Sequence, residues 1–143
     1  MAAPLEQPGL RQTTSSRPPP PLLILKRTKS PIGAGGPYVD NKYATTVRFQ
    51  VLATGAEVTV VNGHAPASLW NPLRRKLHKT WAANLTAHVR TITGPCIVVG
   101  DFNCRWGHRH LNGLRAAGFR LDNPPGVTHP KTRRRIDLVV SRA

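Results

Sequence analysis

Apolar and polar residues alternate one by one in the stretch TTVRFQVLA, where Arg48 and Gln50 separate Val47, Phe49 and Val51. A period of two marks a strand with one face buried. The turn TGAE follows, and VTVVNGH (58–64) returns as a second strand, so the two form a hairpin. The period then changes. Leu73, Leu77, Trp81, Leu85 and Val89 recur every four residues and predict a helix over 70–92 with an apolar stripe. Ser68 or Asn71 caps it, and Pro72 suits its first turn, where a missing N–H costs nothing. Arg75 and Lys79 fall opposite the stripe, on a solvated face. After the breaker TGP, CIVVGDFN (96–103) is apolar and β-branched up to its glycine and reads as a central strand. HLNGLRAAGF (110–119) reads as a short helix, and RRRIDLVVS (133–141) as a last strand with Asp137 between Ile136 and Leu138. The order strand, strand, helix, strand, helix, strand suits a layered α/β or α+β domain.

Upstream the pattern fades. Residues 1–21, MAAPLEQPGLRQTTSSRPPPP, mix Pro, Ser, Thr and Gln with almost no apolar periodicity. Such a segment buries too little surface to offset its ordering entropy, and a disordered tail is expected there, with the domain over 22–143. LLILKR (22–27) reads as a short strand and SPIGAGGPYVDNK (30–42) as a glycine-rich connection. Its glycine spacing fits no phosphate-cradling motif, and no Lys-Ser or Lys-Thr pair follows it.

Charge sharpens this picture. The 143 residues allow one modest domain, and 21 Lys and Arg against 6 Asp and Glu leave a formal charge of +15. A charge of that size attracts polyanions over long range, nucleic acid being the commonest. Any metal or proton-transfer site must draw its carboxylates from Glu6, Asp40, Glu57, Asp101, Asp122 and Asp137. Two cysteines build no disulfide framework: Cys96 reads as a small core residue, and Cys104 as an exposed one without a neighbouring base. No apolar run approaches membrane-spanning length, so a soluble, cytoplasmic chain without a membrane partner is expected.

Three polar positions stand at strand ends or inside apolar runs: His64, the pair Asp101 and Asn103, and Asp137. Each has a modest reading. His64 can cap its strand, Asp101 and Asn103 can satisfy turn donors as Asx residues do, and Asp137 needs a partner if buried. Taken together, one histidine, two acids and an amide suit phosphodiester hydrolysis, which needs a positioned water, neutralised phosphoryl charge and a proton for the leaving oxygen.

VTVVNGHAP, PCIVVGDFN and RRRIDLVVS, in this order, resemble motifs of the endonuclease/exonuclease/phosphatase superfamily over about residues 45–141. The resemblance implies a four-layered α/β sandwich that cleaves phosphate esters with a divalent metal, magnesium or manganese. It implies that His64 contacts the scissile phosphate or protonates the leaving group. Asp101 would orient or deprotonate the attacking water and Asn103 would hold a non-bridging oxygen, both close to the metal. Asp137 would orient a second histidine. Arg105, Arg133 and Arg134 are expected to border the site and attract the phosphate or nucleic acid. The family pattern also includes an Asn strand, a Gln-Glu strand whose glutamate binds the metal, and a terminal Ser-Asp-His strand. No such segment stands in this sequence: Glu6 lies among prolines, and the last residues read SRA. The expectation is therefore a partial sandwich lacking one metal ligand.

Two readings follow. One is a metal-dependent phosphoesterase or nuclease domain, of weak or no activity as this chain alone; the other is a non-catalytic basic module that binds nucleic acid. A partial sandwich should leave one sheet face uncovered, for a second chain to occupy. If the resemblance holds, His64, Asp101, Asn103 and Asp137 should gather within roughly 10 Å on one rim of the sheet.

Overall fold

The computed structural model describes residues 20–33, 42–67, 70–122, 126–129, 131 and 134–143. The expected tail falls outside them up to residue 19, as do residues 34–41 of the glycine-rich connection, the alternative cap Ser68, and Arg133.

Six strands form one sheet: β1 (Leu22–Pro31), β2 (Tyr43–Val51), β3 (Glu57–Gly63), β4 (Cys96–Asp101), β5 (Arg120–Leu121) and β6 (Asp137–Arg142). Their order across the sheet is β1-β2-β3-β4-β6-β5. The predicted hairpin is β2–β3, which pairs Val47 with Val60 and Phe49 with Val58. From β3 the chain crosses over helix α1 (Pro72–Arg90) and returns as β4, parallel to β3. A parallel neighbour requires such a crossover. A 3-10 turn (Arg109–Leu111) and the short helix α2 (Asn112–Ala116) replace the single helix expected over 110–119. The last strand begins at Asp137, not at 133, because Ile136 and Asp137 give their N–H groups to Thr128 Oγ1 at the strand's entrance.

The sequence LLILKR proves to be the start of a ten-residue edge strand. A register shift between Ile24 and Lys26, with Lys26 and Lys29 beyond it, breaks the regularity of that edge and charges it. Irregularity and lysine are how exposed sheet edges resist pairing with other chains.

Both helices lie on one face of the sheet. Trp81, Ala82, Leu85 and Val89 of α1 share a buried core with Val61, Val98 and Val140, and Leu111, Leu114 and Phe119 extend it over Leu138. Trp81 meets Phe102 edge to face at 5.5 Å. Asn71 caps the helix, its Oδ1 accepting from Arg74 N at 3.2 Å. The predicted stripe holds only from Trp81 onward. Leu73 is exposed and Leu77 half-buried, since the buried side of α1 starts at His78 and its first turns project beyond the core. Cys96 is buried as expected. Cys104 is buried too, against expectation, and burial pushes its thiol up to about 12, which leaves it inert.

The opposite face carries the other half of each strand's alternation: Val47, Phe49, Val58, Val60, Ile97, Val99 and Val139. No described helix or strand lies over it. These side chains are partly exposed, Val139 by 37%.

Candidate functional site

The site forms where β3, β4 and β6 share a rim. Gly100 has φ +139, and a Cβ there would stand 1.9 Å from the Gly63 carbonyl oxygen. Only glycine lets the two strand ends approach this closely. The approach sets His64, the first residue after β3, beside Asp101, the last residue of β4: His64 Nε2 lies 3.8 Å from Asp101 Oδ2.

Hydrogen bonds then fix the turn. Ala65 N donates to the Asp101 carbonyl at 2.8 Å, and Asn103 N donates to Asp101 Oδ1 at 2.7 Å. Asn103 Nδ2 donates to the Ala65 carbonyl at 2.9 Å. Asn103 sits at φ 50, a left-handed conformation that Asn tolerates better than other non-glycine residues. The Asx role is therefore present, and it coexists with convergence. Asp101 Oδ1 is engaged by the turn, while Oδ2 faces His64.

Register supplies the fourth residue. Asp101 pairs directly with Asp137 across β4 and β6, so both carboxylates stand on the open face of the sheet. Side chains directly opposite have Cβ atoms about 5 Å apart. Phe102 N donates to the Ile136 carbonyl at 2.8 Å, which holds β6 in this register. Asp137 is exposed, so the burial problem raised by its apolar neighbours does not arise: Ile136 and Leu138 face elsewhere in the pleat. His64, Asp101, Asn103 and Asp137 thus share one rim.

The expected basic residues line two separate hollows, and none of the four rim residues is in the lining of either. Arg134 lines a hollow of about 330 Å³ together with Trp70, Arg75, His108 and Arg109. Arg105 is exposed and lines a different hollow with Arg135 and Trp106.

Sequence reasoning missed a histidine cluster beneath the site. His78, fully buried in α1, has Nε2 2.8 Å from the Phe102 carbonyl, between the two site residues of the turn. A carbonyl only accepts, so Nε2 carries the hydrogen and Nδ1 of the neutral ring is an acceptor. His110 Nδ1 lies 3.0 Å from His78 Nδ1 and therefore donates to it, while His110 N donates to His108 Nδ1 at 3.2 Å. Burial holds all three rings below the ordinary histidine range. His110 falls to about 4, through burial first and then through His108, His78, Arg109 and Lys79. The only signals in the sequence were the close spacing of His108 and His110 and a histidine on the buried side of a helix.

A divalent cation fits part of this donor set. Asp101, Asn103 and Asp137 offer hard oxygen atoms, the ligands that magnesium and manganese prefer. Among the described residues no three His, Cys, Asp or Glu side chains gather as a closed cage. An ion here would rest on one or two carboxylates with water and substrate oxygen, as magnesium commonly does.

The sequence matches the Endonuclease/Exonuclease/phosphatase family model over residues 7–143. The chain belongs to this family. No curated protein matches the sequence. Among solved structures, this family member is similar to the human Nocturnin catalytic domain, with TM-score 0.66 and 15% identity over 84% of this chain and 48% of that one. It is similar to a mannosyl-6-phosphatase of Bacteroides thetaiotaomicron, with TM-score 0.66 and 18% identity over 84% and 52%. It is also similar to truncated Caenorhabditis elegans TDP2, with TM-score 0.61 and 15% identity over 84% and 52%. At such identities the likeness is one of fold, and it bears out the α/β architecture with its mixed sheet. The chain spans about half the length of each of these structures. No helix among its described residues is long and apolar enough to cross a membrane.

Proposed function

We propose that this domain hydrolyses phosphate esters with a bound divalent cation, the rim of His64, Asp101, Asn103 and Asp137 being its reaction site. The observation that carries the reading is the 3.8 Å approach of His64 to Asp101 on a rim where Asp137 opposes Asp101 in register. Asp101 and Asn103, with Asp137 beside them, would hold magnesium or manganese, which when bound neutralises phosphoryl charge and polarises the bond under attack. Asp101 orients the attacking water and accepts its proton at Oδ2. Asn103 holds a non-bridging oxygen through its second amide hydrogen. His64, exposed at the mouth, gives a proton to the leaving oxygen, the role imidazoles fill most often. Asp137 is the carboxylate to which the family resemblance gives the part of orienting a second histidine. Arg134 and Arg105 draw the phosphate inward.

The experiment is nicking of supercoiled plasmid and turnover of an aryl phosphodiester, with magnesium and with chelator. Weak metal-dependent turnover is expected of this chain alone, falling at least about 100-fold in Asp101→Ala and in His64→Ala, as for loss of a proton-transfer group. Turnover that survives both changes would defeat the site assignment. Binding without turnover in any metal would favour the second reading, a basic nucleic-acid-binding module, which the charge of +15 supports.

A further inference from the structure

The hollow that Arg134 lines has an unusual wall. Trp70 is 82% exposed and stands among Arg75, His108, Arg109 and Arg134. Arg109 also lines an adjoining groove of about 600 Å³ whose other charged residues are Lys79 and Arg90. Among the described residues no acidic side chain lines either space. Trp70 follows His64 by six residues, His108 lies beyond the Asp101–Asn103 turn, and Arg134 precedes Asp137 by three. The segments that carry the rim residues thus also supply the wall of the hollow, and the groove runs from Arg109 along α1.

An exposed indole among cations offers its flat face to a flat apolar partner. Nucleobases are such partners, and phosphates suit the arginines that flank the ring. A small sugar or inositol phosphate makes other demands. Its hydroxyl groups are best met by carboxylate or amide acceptors, and among the described residues the linings of both spaces hold no Asp, Glu, Asn or Gln. Inside a duplex both faces of each base are covered by its neighbours, so apart from the two end pairs Trp70 has nothing to stack on unless a nucleotide is unpaired.

We propose that Trp70 stacks on an unpaired base while Arg75, Arg109 and Arg134 hold the adjoining phosphates, so that the chain docks single-stranded nucleic acid in this hollow. This deepens the phosphoesterase reading by naming the substrate class, yet the docking itself needs no turnover. Lys79 and Arg90 extend the track for the backbone beyond the stacked base. DNA and RNA share the required chemistry, one exposed base face and one phosphate per step.

The test is fluorescence anisotropy with labelled oligo-dT, oligo-U and a blunt DNA duplex of equal length, in chelator so that hydrolysis plays no part. Trp70→Ala is expected to weaken both single strands about 5- to 150-fold, the range for one stacked base, and to change the duplex by less than about 2-fold. Trp70→Phe should restore most of the loss. Arg109→Gln should weaken all three ligands and lower the salt slope by about 1. Trp70 is exposed, and an unchanged melting temperature verifies that its variants fold. Equal loss on all three ligands, or no loss from Trp70→Ala, would overturn the proposal whether or not the chain cleaves anything. Loss on oligo-dT alone or oligo-U alone keeps the proposal and assigns the strand type.

Discussion

Asn103 bears two demands at once. Its backbone takes a left-handed turn at φ 50, and its amide ties that turn to the Ala65 carbonyl. Removing the side chain separates the two. Asn103→Ala loses the hydrogen bond, about 1 kcal/mol, and adds the left-handed cost of a Cβ without a local polar partner, roughly 1 kcal/mol more. Asn103→Gly loses the bond alone, since glycine accepts that conformation freely. Urea unfolding should therefore rank the variants native, then Gly, then Ala, with steps of about 1 kcal/mol. The same order should not appear in phosphoester turnover, where both changes remove the amide. Ala more stable than Gly would mean that the turn is not held as described. Gly100 offers no such choice, because its would-be Cβ meets backbone rather than a movable side chain. Gly100→Ala must force β3 and β4 apart and carry Asp101 away from His64.

The elements were legible to different degrees, and the reasons differ. The hairpin β2–β3, the helix α1 and the strand β4 announce themselves because their apolar period is long and single. The site motif was legible for the same reason, since an apolar strand that ends in Gly100-Asp101 stands out against its neighbours. The two-residue strand β5 has no period to read, and it exists only because β6 offers it an edge. Leu73 shows the converse error, an apolar residue in phase with the stripe whose turn of helix lies outside the core. His78 carries no such mark, because a histidine on a helix reads as polar surface; here α1 uses it to grip the Phe102 carbonyl from behind the site. That grip has a pH signature. The unfolded histidines take up protons near their ordinary value, about 6.5, whereas His110 resists until about 4, and His78 and His108 are shifted in the same direction. Between these values the unfolded chain binds more protons, so stability rises with pH. It is complete above about 6.5 and drains away as pH falls toward 4. Thermal melts between pH 7.5 and pH 4 should show this loss, and His110→Asn should flatten it. A melting temperature that stays level over that range would remove the buried, neutral cluster from the account.

At the scale of the whole molecule two opposed forces meet on the sheet face that no described helix or strand covers. Phe49, Val58, Val60, Ile97 and Val99 present an apolar surface over four adjacent strands together with Val47 and Val139. Contiguous apolar area of this kind favours association at about 25 cal/mol per Å² removed from water. A formal charge of +15 on 143 residues opposes it, since two copies must bring like charges together. Salt decides between them. The screening length is about 30 Å at 0.01 M and about 3 Å at 1 M, so repulsion spans the molecule in the first case and barely reaches beyond a side chain in the second. Apolar attraction is not weakened by that change. The expected outcome is a monomer at low salt that associates as sodium chloride is raised, and that binds a hydrophobic dye throughout. Val60→Glu sets a charge at the middle of the uncovered face, away from the buried core that α1 covers. It should suppress both association and dye fluorescence while leaving the helix content unchanged. Sedimentation velocity across a salt series, with dye titration alongside, makes the comparison. A chain that stays monomeric in 1 M salt and binds no dye would show that its open face is already covered.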